Sequence, residues 1–172
     1  VVADELSKLG AQVRFVSIDL DQPESIAAFA RDVQERERVV HGLVNNAAIA
    51  TNVGGRTFDD IDLDLWDRVM RVNVRGTWLV TRALAPLLRK ARNAKIVNVA
   101  SDTALWGAPR LLHYVSSKGA IIAMTRSMAG LQELFAHPAP LSRELRNRGL
   151  SLVDRLPLAK HWLARAAIAP IS

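Results

Sequence analysis

The run Val13-Arg14-Phe15-Val16-Ser17-Ile18 alternates apolar and polar residues and predicts a strand ending at Asp19. Gly10, just before it, suits the end of a preceding helix that contains Val1-Val2-Ala3-Asp4-Glu5-Leu6. Asp21-Gln22-Pro23-Glu24 then supplies an N-cap, a proline in the first turn and an early acid. Ile26, Phe29, Ala30 and Val33 follow at helical spacing as a buried stripe. Gly42-Leu43-Val44 reads as a second strand ending at Asn45-Asn46, and Lys95 to Ala100 as a third ending at Ser101. Between them, Asp59, Asp60, Asp62 and Asp64 crowd the start of a long helical stretch, where acids suit the positive end of the helix dipole. Ile61, Leu65, Val69, Val72, Trp78 and Leu79 mark its apolar side, and Trp66, Trp78 and Leu79 are expected in the core. A loop with Trp106-Gly107-Ala108-Pro109 leads to a last helix, Leu111 to about Ala129.

Helix and strand alternate through residues 1–129, which predicts an α/β fold with a parallel sheet covered by helices. Such sheets bind ligands beyond the carboxyl ends of their strands. Asp19, Asn45-Asn46 and Ser101 would stand along that edge, although strand ends collect polar residues in any case.

Composition narrows the possible chemistry. A chain of 172 residues with 49% hydrophobic and 23% charged residues is one ordinary globular domain in size and balance. Without cysteine it can have no disulfide framework, thiolate zinc site or cysteine nucleophile. The net charge of +6 is dispersed: 17 basic residues face 14 acidic ones up to position 128, and six face three beyond it. Acids and bases mix in stretches such as Arg31-Asp32-Val33-Gln34-Glu35-Arg36, a solvated face rather than a surface that tracks phosphates, so no nucleic-acid partner is expected. Apolar runs such as Ala120 to Met124 fall far short of the roughly 20 residues of a membrane span. A soluble, cytoplasmic protein is expected. His41, His113, His137 and His161 lack metal-ligand spacing and read as surface or packing residues.

Tyr114 and Lys118 are four apart on a predicted helix and so share a face. An ammonium beside a phenol favours the phenolate and suits an acid/base. An exposed tyrosine near an unrelated lysine is the plainer alternative. Ser101, thirteen residues before Tyr114 at a strand end, adds a hydroxyl able to hold a carbonyl.

Further motifs fall in order around these residues: Asp19-Leu20 after a strand, Leu43-Val44-Asn45-Asn46-Ala47-Ala48, Trp66 with Val72-Asn73-Val74 and Gly76-Thr77, Ile96 to Ser101, and Tyr114-Val115-Ser116-Ser117-Lys118. With them, residues 1–129 resemble the short-chain dehydrogenase/reductase family. The resemblance implies a Rossmann-like doubly wound sheet and an NAD(P)-dependent oxidoreductase that interconverts an alcohol and a carbonyl, of 3-oxoacyl reductase type or related. It implies that Tyr114 is the acid/base, that Lys118 tunes it and holds the nicotinamide ribose, and that Ser101 orients the substrate carbonyl. Asn73 would hold a water in a proton relay to Lys118, the plainer alternative being that its amide simply bends the helix. Asp19 and Leu20 match positions that contact adenine, and Asn46 one near the adenosine ribose. Asn45, Ala47 and Asn98 are expected to organise the sheet. Trp106 either touches substrate or packs. Members of the family commonly form homo-oligomers through the helices that here carry Asn73 and Tyr114, and the small-residue face Ser117, Ala120, Met124 suits that packing or packing on the sheet.

Four departures qualify the resemblance. None of the nine glycines forms the family's Thr-Gly-x-x-x-Gly-x-Gly phosphate loop, so the choice between NAD and NADP is unreadable. The chain opens at Val1 inside a helix-like run, as if truncated by two strands and a helix. Ala48 stands where the family usually has glycine. Residues 130–172 hold four of the seven prolines and lack the family's Pro-Gly turn; they read as a divergent or frameshifted tail, or an insertion ahead of a truncated end. The competing expectation is therefore a non-catalytic fragment that binds no dinucleotide and acts through helix-mediated association.

Overall fold

A computed structural model describes residues 2–8, 10 and 12–136. Along the chain come helix α1 (Val2–Lys8), helix α2 (Pro23–Arg36), strand β1 (Gly42–Asn45), helix α3 (Leu63–Met70), a π-helical segment (Arg71–Gly76), helix α4 (Thr77–Leu88), strand β2 (Lys95–Asn98), the short helix α5 (Thr103–Trp106) and helix α6 (Leu112–Ala136). Residues 1–125 form one compact unit and residues 126–172 a second, whose described part is the end of α6.

β1 and β2 pair in parallel, with Leu43 opposite Ile96 and Asn45 opposite Asn98. Alternate residues of a strand point to opposite faces. Asn45 and Asn98 share the face that meets the helices: Asn45 Nδ2 donates to Asn98 Oδ1 at 2.8 Å and to Thr81 Oγ1 of α4 at 3.0 Å. Asn98 Nδ2 donates to Thr125 Oγ1 of α6 at 2.9 Å. Both amides thus organise the sheet and stitch α4 and α6 to it. Val44 and Val97 lie on the opposite face and are exposed.

The core lies between α2 and α4. Ile26 and Ala30 interleave with Val80, Leu84 and Leu88, and Ile18, Leu20, Phe29, Val33, Val40 and Leu43 pack around them. Fully burying an aliphatic side chain of this size contributes about 1.5–3 kcal/mol. Pro23 at the first position starts α2, since Gln22 at the N-cap makes no side-chain cap bond. Asp62 caps α3 properly, accepting from the Asp64 and Leu65 amides at 2.8 and 3.3 Å. Gly10, at φ +84°, takes the left-handed conformation that closes α1, and its N–H donates to Ser7 O at 3.0 Å.

Several expectations are corrected. Residues 13–18 form no strand among the described residues. Alternation specifies two faces, but a strand also needs a neighbour to bond its backbone groups, and among the described residues no strand pairs with this segment. Phe15 consequently stands 83% exposed. The segment is held instead by an ion pair from Arg14 to Asp32 of α2 at 2.8 Å, and by the Asp19 N–H on Ser25 Oγ at 2.9 Å. Trp78 is not core: it is 45% exposed with the Arg82 guanidinium 4.7 Å above its ring, a cation–π contact at the surface. Nor does Trp106 pack, at 80% exposed. The last helix continues to Ala136 rather than ending near Ala129. His137, His161 and most of the segment 130–172 lie outside the described residues. Among the described residues no helix is long and apolar enough to cross a membrane.

Candidate active site

The site is built on the π-helical segment, on α6 and on the loop after β2. Inside a continuous helix an i→i+5 segment inserts extra backbone, and such bulges are frequent where function needs a side chain re-aimed. Asn73 sits within this one and is 2% exposed. Its Oδ1 accepts the Ile49 N–H at 2.7 Å, and its Nδ2 donates to Ile49 O at 3.1 Å and to Ser117 Oγ at 3.0 Å. The Ser117 hydroxyl in turn donates to Tyr114 O at 2.7 Å. One hydrogen-bond chain therefore runs from the loop after β1, through Asn73, to the turn of α6 that carries Tyr114.

Tyr114 and Lys118 share a face of α6, with the ammonium 5.8 Å from the ring centroid. Lys118 is 4% exposed, and its Nζ donates to Val99 O at 2.7 Å, just beyond β2. Burial pushes its pKa below the ordinary lysine value. The ammonium is bonded once, so its remaining N–H groups are available to oxygen acceptors of a ligand. Ser101 makes its hydrogen bonds within its own loop. Its Oγ lies 2.8 Å from Thr103 Oγ1 and accepts the Thr103 N–H at 3.3 Å, while Oγ donates to Asp102 Oδ1 at 3.3 Å.

Asp19, Leu20 and Asn46 are the remaining residues expected at the site. Asp19 is exposed and its Oδ1 accepts the Asp21 N–H at 2.9 Å, an Asx turn that shapes the loop. Leu20 is half-buried against the core, and Asn46 is exposed. Sequence reasoning missed Ser117 as part of the site. It is fully buried inside the unit, not on an outer packing face, and the signal available was its place three residues after Tyr114. Met124 does face outward, into a groove with Met70, Val74 and Trp78. His113, beside Tyr114, is fully buried and packs; desolvation, partly offset by the Val53 backbone, holds its pKa below the ordinary histidine value.

With this geometry in place, likeness to known proteins becomes specific. The family model for short chain dehydrogenases matches residues 1–134. The chain belongs to the short-chain dehydrogenase family. It is 36% identical over 124 residues to a 2-(S)-hydroxypropyl-CoM dehydrogenase of Xanthobacter autotrophicus, covering 72% of this chain and 48% of that protein. A short chain dehydrogenase from Escherichia coli CFT073, crystallised with NADPH, superposes with a TM-score of 0.69 at 27% identity, covering 76% of this chain and 55% of that one. A 3-oxoacyl-[acyl-carrier protein] reductase from Brucella melitensis gives 0.70 at 28%, with the same coverage. The fold is accordingly a partial Rossmann-like α/β fold, and the chain spans about half the length of the curated relatives it matches.

Proposed function

We propose that this chain carries the acid/base half of an NAD(P)-dependent oxidoreductase that interconverts an alcohol and a carbonyl. The observation that carries the reading is the linked set Tyr114, Lys118, Ser117 and Asn73 on two helical segments. The dinucleotide, when bound, supplies or takes the hydride. In this reading Tyr114 Oη gives a proton to the carbonyl oxygen in reduction and takes it back in oxidation. Lys118 holds positive charge beside the phenol, and the Val99 carbonyl fixes where that charge sits. Ser101 Oγ steadies the oxygen as negative charge develops, with Thr103 Oγ1 alongside to accept or donate. Asn73 keeps α6 and the loop after β1 in register. A positioned acid/base contributes about 10²–10⁴ in rate. The related hydroxypropyl-CoM dehydrogenase and 3-oxoacyl reductase support a secondary alcohol or a 3-oxoacyl group as the substrate class. Asp19, Leu20 and Asn46 belong to the adenosine end of the same reading.

Oligomerisation is part of the proposal. The groove of Met70, Val74, Trp78 and Met124 lies on the helices through which the family associates, and a second copy of this face would cover the exposed Trp78. A second reading, in which the chain acts through that association without binding dinucleotide, is favoured by the apolar groove beside the exposed Trp78. Titration of the chain with NADPH, followed by fluorescence, separates the two. Saturable binding together with carbonyl reduction that Tyr114→Phe abolishes supports the enzyme. No binding at millimolar NADPH sinks the enzymatic reading for this chain.

A further inference from the structure

Asn73 stands between two arginines, and both reach one acid. Arg71 Nε and Nη2 donate to Asp21 Oδ1 and Oδ2 at 2.7 and 3.3 Å. Arg75 Nη2 donates to the Asp21 backbone carbonyl at 2.8 Å and lies 3.8 Å from its carboxylate. Asp21 directly follows Asp19 and Leu20, and its own N–H closes the Asx turn on Asp19. A second contact joins the same two segments. A Cβ on Gly76 would stand 2.8 Å from Leu20 O and 2.9 Å from Leu20 Cβ, so only glycine allows this approach. Residues 19–21 and the π-helical segment are therefore clamped twice, across some fifty positions of sequence.

Why this segment should need a clamp follows from its backbone. An i→i+5 bulge is rare because its hydrogen bonding and packing are poorer than those of an α-helix. The alternative, plain α-helix, would turn Asn73 about 100° relative to the next element for each residue of lost bulge. Asn73 would then leave Ile49 and Ser117. A contact from outside the helix can hold the phase, and the residues two before and two after Asn73 make that contact.

We propose that Asp21 is a positioning residue: by holding Arg71 and Arg75 it sets the phase of the π-helical segment and places the Asn73 amide on Ile49 and Ser117. Through it, the loop of Asp19 and Leu20 is mechanically coupled to the acid/base helix; only the meaning of that coupling for cofactor and substrate rests on the proposed function. Exposed ion pairs generally contribute little to stability, and both arginine side chains are 40% exposed. Bidentate geometry is the exception, because it fixes direction as well as distance. The arginines hold the Asp21 carboxyl below the ordinary carboxylate range, so the clamp is charged at neutral pH.

The Ile49 amide reports on the clamp directly, since its N–H is bonded to Asn73 Oδ1. Hydrogen exchange followed by NMR on the labelled chain, without cofactor, compares Ile49 with Leu84 in the core of α4. Asp21→Asn is expected to speed exchange at Ile49 about fivefold or more, with Leu84 changed by less than about twofold. Asp21→Glu, which keeps the charge, should recover most of the protection. Unchanged exchange at Ile49 would overturn the proposal, and so would equal acceleration at both amides, which is loss of global stability alone. Should Asp21→Asn fail to fold, Arg71→Lys removes the two-pronged geometry while keeping the charge, and the same two amides decide. Failure of NADPH to bind defeats the enzymatic reading and leaves this result standing.

Discussion

Replacing Asn73 by alanine tests the site at its most connected side chain. The substitution removes three hydrogen bonds at once, two to Ile49 and one to Ser117, at a position 2% exposed. Ser117 is left the least affected, because its hydroxyl keeps its donation to Tyr114 O. Ile49 loses partners for both its N–H and its C=O. A neutral bond contributes about 1 kcal/mol net, while an orphaned buried polar group costs about 1–3 kcal/mol. Two orphaned backbone groups, partly relieved if water enters the space left, put the loss at about 3 kcal/mol, a large share of the 5–15 kcal/mol typical of a domain. Urea unfolding at neutral pH, read from tryptophan fluorescence, measures it: the midpoint should fall with little change in slope. Ser117→Ala should cost less, about 1 kcal/mol, and the double variant should fall short of the sum, since one bond is shared. A loss below about 1 kcal/mol for Asn73→Ala, with the Ile49 amide still slow to exchange, refutes the claim that this amide holds the loop.

Other expectations follow from single contacts. Gly76→Ala drives a methyl group into Leu20 and should cost about 1–3 kcal/mol, seen as a lower thermal midpoint; a neutral outcome means that the 19–21 loop is not clamped there. Lys118 has a folded pKa below its unfolded value, so the unfolded chain holds that proton more tightly and burial of the charge costs stability at neutral pH. That cost is relieved as pH rises from the folded pKa toward about 10.5, so the wild type should gain stability relative to Lys118→Met across this alkaline window. A gap that stays constant with pH contradicts the assignment. Asp21 acts in the acid range with the same slope: its lowered pKa gives stability that is present above the ordinary carboxylate value and lost as pH falls through the folded one. Asp21→Asn should flatten that acid limb of the unfolding curve.

How much of this could be read from the residues alone depends on range. α2, β1 and β2 were legible because local spacing and turn residues determine them: the Ile26 and Ala30 stripe, the proline at the first helical position, the glycine opening Gly42–Asn45. The strand at 13–18 was not, because alternation carries no information about whether a neighbour exists. Trp78 reads as core from its place on the apolar side of the long helical stretch, yet which side of α4 meets α2 is fixed by Val80, Leu84 and Leu88, and Trp78 falls outside that stripe. Tyr114, Lys118, Ser101 and Asn73 could be named from motifs, but their connections could not. The π-helical segment has no sequence signature of its own, so the rotation it gives Asn73, and the Ser117 link that depends on it, emerge only in three dimensions. The short helix α5 was hidden for a similar reason, with only the Asp102 side chain on the Thr103 N–H to mark its start.

The distribution of amides through the unit explains how a small sheet can hold such a site. Two strands of four residues make few ladder bonds, so they fix the helices weakly by themselves. Asn45 and Asn98 extend the ladder sideways, reaching Thr81 on α4 and Thr125 on α6. Asn73 and Ser117 repeat the arrangement one level out, joining the π-helical segment to α6. Both connections run between the same two helical stretches, and the Lys118 bond to Val99 O adds a third tie from α6 to the end of β2. Each partner is a directional hydrogen-bonding group, buried or half-buried for the most part, rather than an apolar contact, and such groups tolerate little displacement before they are left unsatisfied. Placement of Tyr114 is therefore determined less by the apolar core, which lies between α2 and α4, than by these polar ties. Enlarging or shrinking core side chains should alter stability without moving the tyrosine, whereas loss of any one amide should loosen the site before the fold.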